Sequence, residues 1–537
     1  MLKLEHLGET HARLIMQERI KVRRHLYCRR AIVTRWLFAA LLAAWMTVAV
    51  RAGEGRLALS VIDRETQAPV ACRMHLKNAA GKPVRPPRVP YWHDHFVFPG
   101  SIELTLPRAN YTFELERGPE YTVVRGHFTI EDFADDEKTV ELARVVDMAA
   151  ESWWSADLHI HRAPDDIELL MQAEDLHVAP VVTWWNKKNH WAGRRLPTSP
   201  LVCFDGNRYY HLMAGEHERE GGALLYFNLP EPLPITQAER EYPSPLEFLT
   251  AARHSSGVWV DVEKPFWWDV PVWLASGLVD SVGLANNHMC RSEMHADEAW
   301  GRPRDKSRLL DPWGNGLWSQ EIYYHLLNCG LRVPPSAGSA SGVLPNPVGY
   351  NRMYVFVGDD FSYERFWEGF RRGRVVVTNG PLVRPLVAGK LPGHVFAGEE
   401  GAPLALDVNL KLSTRDPLNY FEIIKNGQVE RSVRLDEWAK HGQLEPLVFE
   451  ESGWFLIRAV TDVRHTYRFA STGPYYVEIG ERPRRISRQS VEFFLDWVGE
   501  RMGRIDLADN QQRAEVLKHH EMAQQFWRDL LAKANAP

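Results

Sequence analysis

Trp153-Trp154-Ser155-Ala156-Asp157-Leu158-His159-Ile160-His161-Arg162 is the stretch on which the reading of the whole chain turns. In an extended strand, side chains at i and i+2 share a face, so His159 and His161 converge at the strand's C-terminal end. Two imidazoles so placed form half of a divalent-metal site, the alternative being a hydrogen-bonded histidine pair near a surface. Asp157 before the pair, and a helix predicted over Asp165 to Glu174 after it, give the layout of a first strand-helix unit. In an α/β barrel such units carry their chemistry at the strand ends.

Outside that stretch, 537 residues exceed one ordinary core, and two to four domains are expected. A net charge of -5 and a pI near 6.5 give no basic footprint, so no nucleic-acid partner is expected. The 45% hydrophobic and 25% charged content suits a soluble globular chain. Tryptophan is abundant, and 13 of the 20 fall between Trp153 and Trp367, around the predicted site.

The N-terminus reads as a targeting segment. Lys21 to Arg35 is basic, Trp36 to Val50 is apolar, and Val50-Arg51-Ala52 suits cleavage after Ala52, which makes residues 1–52 a signal peptide. The apolar run is shorter than the roughly twenty residues of a membrane span. Export to the periplasm or beyond is expected, with no stable span after signal removal; a single N-terminal anchor is the alternative. The basic region is long enough that Met16 is a candidate start. Cys28 leaves with the signal, while Cys72, Cys203, Cys290 and Cys329 lack a C-x-x-C pair, which argues against a zinc ribbon and a disulfide scaffold. One bridge among them stays open.

Four regions follow the signal. Residues 55–148 alternate apolar and polar over short segments between Pro, Gly, Asn and Asp turns, predicting a β-sandwich of about seven strands. His93-Asp94-His95 sits in a turn-rich connection there and reads as structural. Residues 149–381 alternate short apolar strands with helical patterns, such as Ser244 to His254, Trp318 to Leu331 and Ser362 to Arg372; Ser244 and Ser362 suit N-capping. That alternation predicts a parallel α/β barrel. Residues 382–482 return to β texture with a hairpin turn at Asn426-Gly427, and residues 483–537 form amphipathic helices.

The runs WWSADLHIHR and LLMQAEDLHVAPVVTWW resemble the opening of the polymerase-and-histidinol-phosphatase (PHP) metallohydrolases, in their CehA/McbA branch, over roughly residues 150 to 480. Leu106 to Tyr111 loosely resembles a corner of the carboxypeptidase-regulatory-like domain. The first resemblance implies a multidomain chain with a central PHP-like α/β barrel, flanked here by two β-sandwiches and closed by C-terminal helices. It carries a metal-bridging role onto Glu216, with His217 and Glu218 expected to point elsewhere. Departures are numerous. Thr183 to Asn186 stands where the family offers Asp-His-Asn, Gly221-Gly222 where it has Gly-His, and Asp261 to Pro265 where it has Ala-His-Pro. Glu263 or Asp261 is then a substitute oxygen ligand, and Lys264 stands in for one metal's charge. His288 is an imidazole candidate on the sixth strand end. Ala340 and Gly342 occupy the aspartate and histidine positions of a Gly-Ser-Asp-x-His pattern.

His159, His161 and Glu216, with His288 or Glu263, suffice for one divalent ion, zinc or manganese, and not for the family's usual cluster. Trp154, Trp184, Trp185, Trp267 and Trp268 are expected to wall a wide pocket for a small-molecule or saccharide substrate, with Asn287, Asp269, Arg291 and Glu293 as polar groups. The predicted function is an exported hydrolase of ester, carbamate or phosphoester bonds acting through a metal-bound water, with Glu216 or Glu263 as ligand or general base. The alternative is a catalytically degenerate barrel that binds carbohydrate or polymer. Oligomeric state is not legible.

Overall fold

The computed structural model describes residues 53–537 apart from 359, 442–443 and 482–483, so the predicted signal peptide lies outside the described residues.

From Glu54 to Leu142 the chain forms two sheets around a core of its own. Leu57, Leu59 and Val61 alternate inward along the strand Glu54–Asp63, which lies antiparallel to Ser101–Pro107 and parallel to Asp135–Leu142. The second sheet has five strands, with Cys72–Asn78 between His95–Phe98 and Ala109–Glu116. Buried ions tie this module to the central body: Asp175 takes Arg117 at 3.1 Å, Arg208 at 2.7 Å and Arg144 at 2.9 Å.

The central region corrects the expectation of a parallel α/β barrel. Strands dominate over helices, and the sheet is mixed. Trp153–Ala156, Val178–Trp185 and Arg208–Arg219 run parallel, as do Trp259–Val262, Ser281–Ala285 and Pro335–Ala337. Between these groups Gly222–Phe227 alone runs the other way, antiparallel both to Arg208–Arg219 and to Trp259–Val262. The cause is length. Only Glu220-Gly221 separates those two strands, which permits a hairpin but not the dozen or more residues of a parallel crossover. Gly222 takes φ +118°, and a side chain at Gly221 would overlap the Asp269 carboxylate, so the glycines are what let the reversal fit.

The predicted boundary at 381 also fails to separate two sheets. Val375–Thr378 pairs on one edge with Arg352–Phe356 and on the other with Phe469–Thr472, so the C-terminal strands continue the central sheet. The C-terminal strands nevertheless enclose a second core around Phe421, Phe455 and Tyr475. Helices Pro245–Ala252 and Tyr363–Arg371 are capped by Ser244 and Ser362. The last two helices, Arg488–Arg504 and Asn510–Leu531, pack on the central core through Phe494, Trp497 and Trp527. Among the described residues no helix is long and apolar enough to cross a membrane. Cys72, Cys203, Cys290 and Cys329 are all free thiols.

Candidate functional site: two imidazoles and a carboxylate

The site is built where the strand Trp153–Ala156 stops. The Asp157 carboxylate is buried and accepts from the backbone N–H groups of His159 at 3.0 Å, Ser339 at 3.0 Å and Gly349 at 2.7 Å. It pins two loops together and is not a ligand. His161 N–H donates to the Ser341 carbonyl at 2.8 Å, drawing the 338–342 loop alongside the His-x-His segment. A Cβ at Gly338 would fall 2.5 Å from His159 Cβ, and one at Gly342 would fall 2.6 Å from the His161 carbonyl oxygen. This loop therefore supports the histidines by close backbone approach and offers no ligand of its own.

His159 and His161 do share a face. Their Nε2 atoms lie 2.9 Å apart, and Glu216 Oε2 stands 3.3 Å from the first and 3.0 Å from the second. On the far side of the ring, His159 Nδ1 faces Glu263 Oε1 at 3.4 Å. A ring that gives its Nδ1 proton to Glu263 turns a lone pair toward His161 and Glu216. Three electron-rich atoms then meet at one point, which is stable only with a proton or a cation between them. Burial disfavours charge on His159, but Glu216 and Glu263 outweigh it and raise its pKa to about 10. Glu216 is held low against its burial by the two imidazoles, while burial lowers His161. These donors fit one divalent ion with positions left open, and loading exchanges a proton for it.

Glu263 thus stands behind His159 and not beside the meeting point. Its other oxygen accepts from the Lys264 ammonium and from Trp267 Nε1, the latter at 3.0 Å. Its role is to orient a ligand, which corrects its expected place as ligand or base. Asp261 is also removed: Ser336 Oγ donates to it at 2.5 Å and burial raises its pKa to about 7. His288 lies outside the three-donor group; its Nδ1 donates to the Asp297 carbonyl at 3.1 Å, beside His295 and Phe266.

Glu218 is the residue that sequence reasoning set aside wrongly. The strand stays extended through Arg219, so Glu218 shares the face of Glu216, by the same rule that pairs His159 with His161. It accepts from Trp185 Nε1 at 3.2 Å. Burial, reinforced by the Glu216 charge, raises its pKa to about 7.

Trp185 and Glu218 line a cavity of 580 Å³ that also touches Lys188 and Trp300. The Trp185 ring lies 5.0 Å from His161, with the Lys188 ammonium 4.9 Å from its centroid. Trp267 stacks on Trp300, while Trp184 is buried against Gly215. The remaining candidates have structural partners. Trp154 lies at the strand's start, stacked on Phe361 at 3.9 Å. Trp268 sits under Arg504 at 4.2 Å, and Asp269 pairs with Arg501 at 2.7 Å. Arg291 reaches the N-terminal module, pairing with Glu114 at 2.7 Å and with Glu116. Asn287 is buried under Cys290 and Asn346, which both donate to its carbonyl; Glu293 offers its carbonyl to Thr466.

A second group of two imidazoles and a carboxylate lies in the N-terminal module: His75, Asp94 and His95. Arg73 Nε donates to His75 Nε2 at 3.1 Å, so the neutral ring carries its proton on Nδ1, facing Asp94 Oδ2 at 3.2 Å. His95 Nδ1 meets the other oxygen, also at 3.2 Å.

No protein-family model matches the chain, and no curated protein does. Among solved structures it is similar to the Bacillus anthracis TIE protein at 18% identity, over 21% of this chain and 19% of that one, with a TM-score of 0.14. A second similarity is to the N-terminal four Ig domains of Dscam1 isoform 8.4, at 6% identity over 80% of this chain and 73% of that one, with a TM-score of 0.13. The chain spans about a fifth of the length of the TIE protein. Likenesses this slight carry neither fold nor function.

Proposed function

We propose that this protein is a hydrolase that holds one divalent ion, zinc or manganese, on His159, His161 and Glu216. One observation carries the reading: two imidazole Nε2 atoms and a carboxylate oxygen meet within 2.9 to 3.3 Å, with a carboxylate behind one ring. When bound, the ion supplies Lewis acidity and brings the pKa of a coordinated water toward neutrality. Glu218 is suited to move the proton, since a carboxyl group titrating near 7 both accepts and returns it at neutral pH. Trp185 fixes Glu218 through its N–H and walls the cavity beside His161. Glu263, neutralised by Lys264, keeps His159 in its tautomer. The PHP resemblance supports this at His159, His161 and Glu216 and names the substrate as a small molecule with an ester, carbamate or phosphoester bond. The N-terminal segment supports a periplasmic or extracellular location, or an N-terminal anchor.

The competing reading, a carbohydrate-binding protein, is favoured by Trp185 and by the 44% exposed Trp300 along the cavity. Metal analysis separates the two. The hydrolase binds about one zinc or manganese per chain and turns over a chromogenic ester or phosphoester, and His159→Ala with His161→Ala loses both metal and turnover while keeping the fold. A purified chain that neither retains nor takes up a divalent ion leaves the binding protein standing.

A further inference from the structure

A second concavity, of 780 Å³, opens at the start of the strand Pro335–Ala337, whose other end runs into the loop beside His159 and His161. Its charge is one-sided. Arg332, Arg371, Arg372, Arg374 and Lys390 line it, beside His394, whose pKa burial and Lys390 lower, and no carboxylate does. Acids are not scarce in this chain, where 69 Asp and Glu outnumber 64 Lys and Arg, so their absence from this wall is a local feature.

Neighbouring contacts account for only part of the charge. Arg332 pairs with Glu478 and lies 4.7 Å over Tyr476, and Arg372 pairs with Glu368 one helical turn away. Arg371 and Arg372 also end the helix Tyr363–Arg371, where cations favour the helix dipole. Neither reason reaches Arg374 or Lys390. They come from separate segments, and among the described residues neither side chain meets a carboxylate, nor does that of Arg371, whose guanidinium rests 5.5 Å from the centroid of Trp259. Like charges gathered in one concavity repel until an anion enters it.

The frame under them is stiff. Pro334, Pro392 and Pro474 fix three of the lining segments, and Gly373 and Gly393, both at positive φ, let two turns pass so closely that a side chain at Gly393 would overlap the Arg372 carbonyl. Cations on a rigid frame need little reordering to bind. Guanidinium groups match phosphate and sulfate oxygens in pairs.

We propose that this cleft binds a short ligand bearing two or more phosphate or sulfate groups. A bounded hollow in a chain of net charge -5 suits a few anionic units better than a nucleic-acid duplex. The proposal depends on neither the metal nor hydrolysis at the other end of the strand.

Calorimetry on the full chain at low salt tests it, with inorganic tripolyphosphate, a sulfated tetrasaccharide and a short oligonucleotide as probes. Tripolyphosphate or the tetrasaccharide is expected to bind, more weakly as salt rises, and the stronger of the two identifies the source of the anion. Lys390→Glu is expected to weaken that binding at least tenfold, and Arg374→Gln several-fold, with the melting temperature and the metal content unchanged. Lys390 is exposed and unpaired, so its variant remains decisive if Arg374→Gln does not fold. Absence of binding by both small probes, binding equal in Lys390→Glu, or binding of the oligonucleotide alone overturns the proposal.

Discussion

The His159, His161, Glu216 group and the His75, Asp94, His95 group each hold two imidazoles and one carboxylate, both largely buried, yet the rings turn opposite nitrogens toward that carboxylate. In the N-terminal module each imidazole turns a Nδ1–H toward a different oxygen of Asp94, and Arg73 occupies the remaining nitrogen of His75. His95 makes a hydrogen bond to Asp94, while His75 Nδ1 faces the other oxygen at 3.2 Å without one. In the central body the two Nε2 atoms face each other and Glu216, while Glu263 Oε1 faces the Nδ1 of His159 from behind at 3.4 Å. Composition and proximity do not distinguish a metal site from a hydrogen-bonded cluster; counting lone pairs does.

The sharpest way to break this comparison is to remove both imidazoles from each group. His159→Ala with His161→Ala is expected to abolish stoichiometric zinc binding. His75→Ala with His95→Ala is expected to keep one metal per chain and lose stability instead. Zinc retained by the first variant, or lost by the second in its folded form, would reverse the assignment. Next in size is Glu218→Gln, which removes the proton carrier without touching a ligand. Turnover is expected to fall by about 10² to 10⁴ with metal content unchanged, and an undiminished kcat excludes Glu218 from proton transfer. Glu263→Gln acts more weakly, since partners behind a ligand are worth roughly 10- to 100-fold in metal affinity; competition with a chelator measures it.

A further effect is on acid stability, and it belongs to the N-terminal group. Burial lowers His95 from 6.5 to about 3, and the pull of Asp94 does not restore it. The folded protein therefore refuses a proton that the unfolded chain accepts below pH 6.5, so stability falls as the pH drops from about 6.5 toward 3. The loss reaches roughly 5 kcal/mol at the lower end. Denaturant titrations of wild type and His95→Gln across that window should converge as the pH falls; a constant difference between them would show that His95 does not carry this dependence.

What the sequence made legible was local. Period two aligned His159 with His161, Asn426-Gly427 turned a hairpin with both residues at positive φ, and Ser244 and Ser362 cap helices as serines do. The same rule, applied one strand further, places Glu218 beside Glu216; setting it aside was an error of reading and not a lack of signal. Other features depend on partners far along the chain. Arg291 and Asp269 look like free polar groups until Glu116 and Arg501, 175 and 232 residues away, are brought against them. Alternating strands and helices suggested a parallel barrel because periodicity reports burial and not direction, and the two residues between Arg219 and Gly222 held the contrary information.

Because Val375–Thr378 is hydrogen-bonded along both edges, the two halves of the chain have no seam at which to hinge. A fragment cut near residue 381 would bare a row of unpaired amides on a Val-rich rim, the kind of edge that recruits foreign strands. Dissecting this protein into autonomous pieces should therefore yield aggregates, whereas removing the N-terminal module, whose strands among the described residues pair with no strand of the larger sheet, leaves that rim covered.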